Sequence, residues 1–246
     1  MSVLLIALLS CYAAGVVLPL CLPRRPVLQN RVAHSLAGAA GLLGVALGIT
    51  SLIVPEPLTI SLASTIPYLG FAVRVDALAA VFVLTISMIG VATSIYATGY
   101  VTEFYGRHSI GTLGSLLNGF LLAMTLVVIA DNGFLFIMAW ELMSLISYFL
   151  VVTEHEKADV RYAGFFYLVM THVGTAFVVL TYLILFQSAG SFSFEAFRHT
   201  SQSLPEGMRA LVFLAALVGF GTKAGIVPLH VWLPYAHPAA PSHISA

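Results

Sequence analysis

The chain has 246 residues, 60% of them hydrophobic and 8% charged, with ten basic against ten acidic residues and a mean hydropathy of +1.01. A soluble domain of this length carries about a quarter charged residues to solvate its surface, so the composition describes an all-α polytopic membrane protein with the lipid bilayer as its solvent. The sparse, balanced charges make neither a basic face for nucleic acid nor an acidic tail. With only Cys11 and Cys21, a disulfide framework or a four-cysteine metal site is excluded, and no cofactor or metal is assigned to this chain.

A spanning helix needs about 20 mostly apolar residues, and such runs recur along the sequence. The first, Ser2 to Leu22, has no basic residue before its apolar run, and that run outlasts the roughly 7 to 15 residues of a signal core, so it reads as a retained helix. The others are expected at Val32 to Val54, Ala77 to Tyr100, Leu113 to Ala130, Gly133 to Val152, Tyr162 to Phe186 and Met208 to Val227. Pro23 to Pro26 ends the first helix and Pro55-Glu56-Pro57 the second, while Asp76 is placed to cap the third. Alternation in Leu58 to Leu62 predicts a short extramembrane strand. Only Asp131-Asn132 separates the fourth and fifth helices, which makes them antiparallel neighbours. The long polar link from Gln187 to Gly207 carries an amphipathic turn around Phe192 to Arg198.

Arg24, Arg25, Arg31, Arg107, Lys157 and Arg161 follow the first, third and fifth helices, against Arg74, Arg198 and Arg209 in the alternate loops. The positive-inside rule then puts the N-terminus outside the plasma (inner) membrane. The stretch from Pro228 is rich in Pro and His and stops at Ser245-Ala246 without a charged flank. It reads as an interruption, either a short gene product or part of a longer chain.

Two ionisable residues fall at membrane depth. Glu141 is about 12 Å into its helix and Lys223 about 22 Å from the outer end of its own, at the helical rise of about 1.5 Å per residue. A lone charge there costs roughly 2.5 to 3.5 kcal/mol on insertion scales, so each residue reads as part of a proton path or, on the competing reading, as a structural ion pair or a snorkelling lysine. Gly219, Gly221, Gly225 and Pro228 around Lys223 predict a broken seventh helix, and irregular backbone at that depth must line protein or water. His230 would lie two turns beyond Lys223 if the helix resumed, and His237 and His243 follow. Histidine titrates near neutral pH and suits a relay, although an interfacial position explains His237 and His243 equally well. His172, with Thr171 and Thr175, either continues a wire between the fifth and seventh helices or is a hydrogen-bonded core histidine. Trp140, Tyr148 and the Phe165-Phe166-Tyr167 run read as packing. Bringing Glu141 and Lys223 together or apart would switch the lysine between holding and releasing a proton.

The Glu141 segment Phe136 to Ser144, the Lys223 segment Gly221-Thr222-Lys223-Ala224-Gly225-Ile226-Val227-Pro228 with Leu229 to Pro234 after it, and the ending Ala236 to Ala246 resemble the antiporter-like proton-translocating membrane subunits. That family is shared by respiratory complex I, multisubunit sodium/proton antiporters and membrane-bound nickel-iron hydrogenases. Thr171 to Thr175 and the His-Pro-Ala-Ala-Pro-Ser-His ending are most similar to the hydrogenase-4 component B or formate hydrogenlyase branch. The resemblance implies about fourteen helices built on inverted repeats. On that plan residues 1–112 form an N-terminal three-helix segment and 113–246 an incomplete first repeat. It further implies Glu141 and Lys223 as proton-translocating residues, to which the reading of the residues themselves adds His230, with His172, His237 and His243 as relay candidates. Partners would be other membrane subunits and a peripheral redox arm holding iron-sulfur and nickel-iron or flavin centres, so that this chain is a membrane subunit of an oxidoreductase complex with no redox centre of its own. A subunit of a cation/proton antiporter and a truncated, non-conducting remnant are the rival expectations. Two departures stand out: Tyr235 where relatives often carry an acid, and His172 with Thr175 where they carry an Arg/Asp arrangement.

Overall fold

Seven helices among the described residues are long and apolar enough to cross a bilayer. The computed structural model describes residues 1–23, 25–62 and 70–245. The long helices are α1 (Ser2–Cys21), α2 (Pro26–Ile53), α3 (Ala77–Tyr100), α4 (Ile110–Ile129), α5 (Gly133–Val151), α6 (Ala158–Ala189) and, after the short α7 (Phe194–Ser201), α8 (Glu206–Ala224). Two short helices, α9 (Leu233–Ala239) and α10 (Ser242–Ser245), close the chain.

Helix starts follow side-chain chemistry. The Asp76 carboxylate accepts from the Ala79 amide at 3.0 Å and the Asn132 amide oxygen from Leu135 N–H at 2.7 Å, each satisfying a free first-turn donor. The second helix begins at Pro26, six residues before the expected Val32. Proline at the first position loses no hydrogen bond, and the polar residues that follow it are paired through tertiary contacts. Gln29 donates to the Pro19 carbonyl at 3.2 Å, and Asn30 to the Thr98 carbonyl at 3.0 Å and the Tyr105 hydroxyl at 2.9 Å. The sixth helix likewise extends to Ala158–Ala189, past the expected ends at Tyr162 and Phe186.

The predicted strand is present as β1 (Leu58–Leu62), antiparallel to β2 (Phe71–Val75) with Leu58 opposite Val75. Hydrogen bonds from Asp131 N–H to the Ala72 carbonyl at 2.8 Å and from Asn132 Nδ2 to the Gly70 carbonyl at 2.6 Å pin this hairpin to the α4–α5 turn. In α7 the expected amphipathic turn becomes a two-turn helix that buries Phe197 against Tyr182.

Between lipid-facing helices there is little hydrophobic drive, so close backbone packing joins them. In the α2–α3 contact, a Cβ placed on Gly41 would stand 3.0 Å from the Ser87 carbonyl. One core joins α1 to α4 through Leu8, Tyr12, Leu47, Val83 and Leu121. A second joins α5, α6 and α7 through Trp140, Val178, Tyr182 and Phe197.

Candidate functional site

The break at the end of α8 comes from Gly225, whose φ of +72° lies in the left-handed region open to glycine. Carbonyls left free there are taken up locally: Ile226 N–H donates to Gly221 O at 2.9 Å and the Trp232 indole N–H to Thr222 O at 2.8 Å. The helix position of Lys223 is set by α6, because a Cβ on Gly219 would lie 2.9 Å from the Val178 nitrogen and 3.0 Å from the Gly174 carbonyl.

The half-buried Lys223 ends in a shell of neutral groups. Its Nζ donates to Ser144 Oγ at 3.2 Å and to the Tyr167 hydroxyl at 3.1 Å, and lies 5.8 Å and 5.4 Å from the Trp140 and Tyr167 ring centres. Ring faces carry partial negative charge and favour a nearby cation. The hydroxyl protons are already committed. Ser144 donates to the Trp140 carbonyl at 2.9 Å, Ser147 donates to the Ser144 carbonyl at 3.0 Å, and Tyr167 is therefore the donor in its bond to Ser147. An ammonium has three N–H groups and two are used here. Among the described residues the third meets no protein acceptor, so the two bonds to the hydroxyls do not depend on it.

Lys223 also lines a cavity of about 490 Å³ whose polar wall includes Ser147, Tyr167, His237, His243 and Ser245. His237 hydrogen-bonds through Nδ1 to Ser245 Oγ at 3.0 Å, and His243 is buried there. His230 is not among the cavity-lining residues. The two-turn register proposed between Lys223 and His230 does not exist, because Gly225 ends the helix and a 3-10 turn, Leu229–Trp232, intervenes before α9. The His230 Nδ1 is buried without a hydrogen-bond partner.

Glu141 and Lys223 are not paired with each other. The Glu141 Oε2 lies 3.5 Å from His172 Nε2, while Oε1 is buried without a partner. His172 Nδ1 sits 2.9 Å from the Leu168 carbonyl, which only accepts, so the proton is on Nδ1. A neutral imidazole would then turn its Nε2 lone pair toward the carboxylate, so the contact is attractive only when one of the two side chains carries an added proton. Ser144, which accepts from the Lys223 ammonium, stands one helical turn from Glu141 on α5. Thr175 accepts from the Trp140 indole at 3.1 Å, whereas Thr171 spends its proton on its own helix, at Tyr167 O and Leu168 O.

Sequence reasoning missed Ser144, Ser147 and Tyr167. Tyr167 was read with Phe165 and Phe166 as packing, but Phe165 is exposed on the outer face and Tyr167 is buried with its hydroxyl on the lysine. The usable signal was that a buried tyrosine seeks a partner for its hydroxyl.

Residues 130–246 match the family model described as NADH:quinone oxidoreductase/Mrp antiporter, TM. The chain is 38% identical over 221 residues to hydrogenase-4 component B of Escherichia coli K12, covering 88% of this chain and 32% of that protein. It is 32% identical over 166 residues to NADH-quinone oxidoreductase subunit L of Mycobacterium tuberculosis, covering 66% of this chain and 25% of that one. The chain thus spans about a third or less of the length of these curated relatives. Its fold superposes on a chain of the Mrp complex from Dietzia sp. DQ12-45-1b with a TM-score of 0.83 at 21% identity, covering 99% of this chain and 26% of that chain. Sequence and fold agree, and residues 130–246, which hold Glu141, His172 and Lys223, are the part of the chain that matches the NADH:quinone oxidoreductase/Mrp antiporter transmembrane family.

Proposed function

We propose that this chain is part of a proton-translocating membrane subunit in a hydrogenase or NADH:quinone oxidoreductase-like complex, with Lys223 as the residue that takes up and releases the proton. The carrying observation is the Lys223 ammonium, held by two neutral hydroxyls and two ring faces at the end of a broken helix, with one N–H left toward a cavity. A structural ion pair would supply a carboxylate. A charge without one is stabilised modestly, and loss of its proton leaves every protein hydrogen bond in place. The Glu141 carboxylate stands 3.5 Å from the His172 ring, one turn from Ser144 along α5, so a second pair of protonatable side chains, on α5 and α6, lies beside the lysine's shell as a further station on the path.

On this reading, electron transfer occurs in partner subunits that hold iron-sulfur and nickel-iron or flavin centres in a peripheral arm, and other membrane subunits flank this one. The complex sits in the plasma membrane with the N-terminus of this chain outside, the orientation favoured by its basic loops. His230, His237 and His243 would pass the proton on, with His237 and His243 favoured by their place on the lysine's cavity.

Lys223→Met and Glu141→Gln in the complete assembly test the proposal through proton uptake by everted membrane vesicles. Loss of uptake with the assembly intact supports it, and undiminished uptake in both variants overturns it. The same vesicles, driven by an imposed sodium or potassium gradient with no electron donor, distinguish a cation/proton antiporter. Exchange under that gradient alone would replace the redox-coupled reading.

A further inference from the structure

A row of orphaned polar atoms leads away from the lysine's cavity into the N-terminal helices. His243 in α10 lines the cavity, is 2% exposed, and among the described residues has no hydrogen-bond partner on either ring nitrogen. Its ring centre lies 6.2 Å from that of His34, which projects from α2, is 3% exposed, and leaves Nδ1 unpartnered. One turn earlier on α2 stands Asn30, 2% exposed, with its side-chain oxygen unpartnered while its Nδ2 reaches the Tyr105 hydroxyl at 2.9 Å. Tyr105 follows the 3-10 turn after α3, beside the loop where Arg107 and His108 line a surface recess with Gln29.

An unsatisfied buried donor or acceptor costs about 1 to 3 kcal/mol, and proteins meet that cost with ordered water where the site is polar and roomy. One orphan is tolerable, but four atoms on three consecutive neighbours are a pattern. Dry helix packing would fill these positions with apolar residues, as it does in the adjoining core at Ala33, Ala37 and Ala40. The two imidazoles also differ from Asn30 in kind: each can accept a proton at one ring nitrogen and donate from the other.

We propose that His243, His34 and Asn30 form a hydrated side branch that carries protons between the Lys223 cavity and the membrane face at the α3–α4 loop. The branch rests on the reading of Lys223 given above. It assigns a conducting role to α2, which contributes nothing to the lysine's own shell.

Two measurements on the complete assembly test it. Exchange of the imidazole C2 hydrogen in deuterium oxide, followed residue by residue by mass spectrometry, reports whether a histidine meets water. His34 and His243 are expected to exchange at rates like that of exposed His199, and failure of both to exchange over days overturns the branch. Separately, His34→Phe and His243→Phe are each expected to slow proton uptake by about tenfold, the loss of roughly one hydrogen-bonded step. His34→Gln, which keeps polarity without titrating, is expected to be slow as well but to assemble normally. Because the two residues act in series, the double variant should be no slower than the slower single one. Full uptake in both single variants beside loss in Lys223→Met removes the branch and leaves the lysine's role intact. Full uptake in Lys223→Met instead defeats the reading on which the branch rests.

Discussion

Replacing Tyr167 by phenylalanine removes one oxygen and keeps almost everything else. The ring stays against Trp232, 5.2 Å between centres, and within reach of the Lys223 ammonium. Ser147 keeps its own bond to the Ser144 carbonyl at 3.0 Å. What disappears is the hydroxyl's donation to Ser147 and, with it, one of the two protein acceptors of Lys223, at 3.1 Å, leaving Ser144 at 3.2 Å. A hydrogen bond to a charged group is worth about 1.5 to 3 kcal/mol, and each 1.4 kcal/mol or so on a barrier is about tenfold in rate. If the ammonium is formed in the limiting step, Tyr167→Phe should slow proton uptake by roughly tenfold to a hundredfold. Ser144→Ala should act similarly, and the double variant should lose more than the product of the two because it leaves no protein acceptor. The assay is the initial rate of uptake in everted vesicles, normalised to assembled complex. A full rate in Tyr167→Phe, with assembly unchanged, would refute the claim that these hydroxyls poise the lysine.

Three further outcomes follow from particular contacts. Gly219→Val should lower the melting temperature of the detergent-solubilised complex, because overpacking costs about 1 to 3 kcal/mol and the backbone of α6 at Val178 and Gly174 cannot rotate away; an unchanged melting curve would place α6 and α8 farther apart than described. Asn132→Ala should destabilise by about 0.5 to 2 kcal/mol through loss of the α5 cap, and more than the cap alone if the bond to the Gly70 carbonyl also matters, which a thermal shift read beside Asp76→Ala would separate. Asp131, in the α4–α5 turn, has its carboxyl raised above the ordinary 3.8, first by burial and then by Asp76, against the lowering effect of Arg74. A raised acid disfavours the folded state when ionised, so its contribution is fully favourable below the unfolded value and is lost as pH rises through the folded one. Asp131→Asn should therefore raise thermal stability at neutral pH, with the gain shrinking as the pH is lowered toward 4; a gain that grows on acidification would contradict the sign.

The long helices could be read from the chain because their cause is local. An apolar run of spanning length must satisfy its backbone within itself, and proline, glycine and capping side chains end it where they stand. So Ala77–Tyr100 and the strand Leu58–Leu62 lie where the residues put them, and the break near Lys223 was visible in its glycines and Pro228. The start of α2 was not, since Gln29 and Asn30 enter a helix only because Pro19, Thr98 and Tyr105 supply partners from other elements.

Glu141, Lys223 and His172 could likewise be singled out from their depth alone, because a charge in hydrocarbon demands a reason. Which groups they meet was decided by packing. The rotation of α5 and α6 about their own axes gives Glu141 to His172 and turns Ser144 and Tyr167 to the lysine, and a helical sequence leaves that rotation open. Gly225 redirects the chain so that His237 and His243, not His230, line the lysine's cavity. Residue type and burial are properties of short segments, whereas the meeting of α2, α5, α6 and α10 around protonatable atoms exists only once the helices are packed.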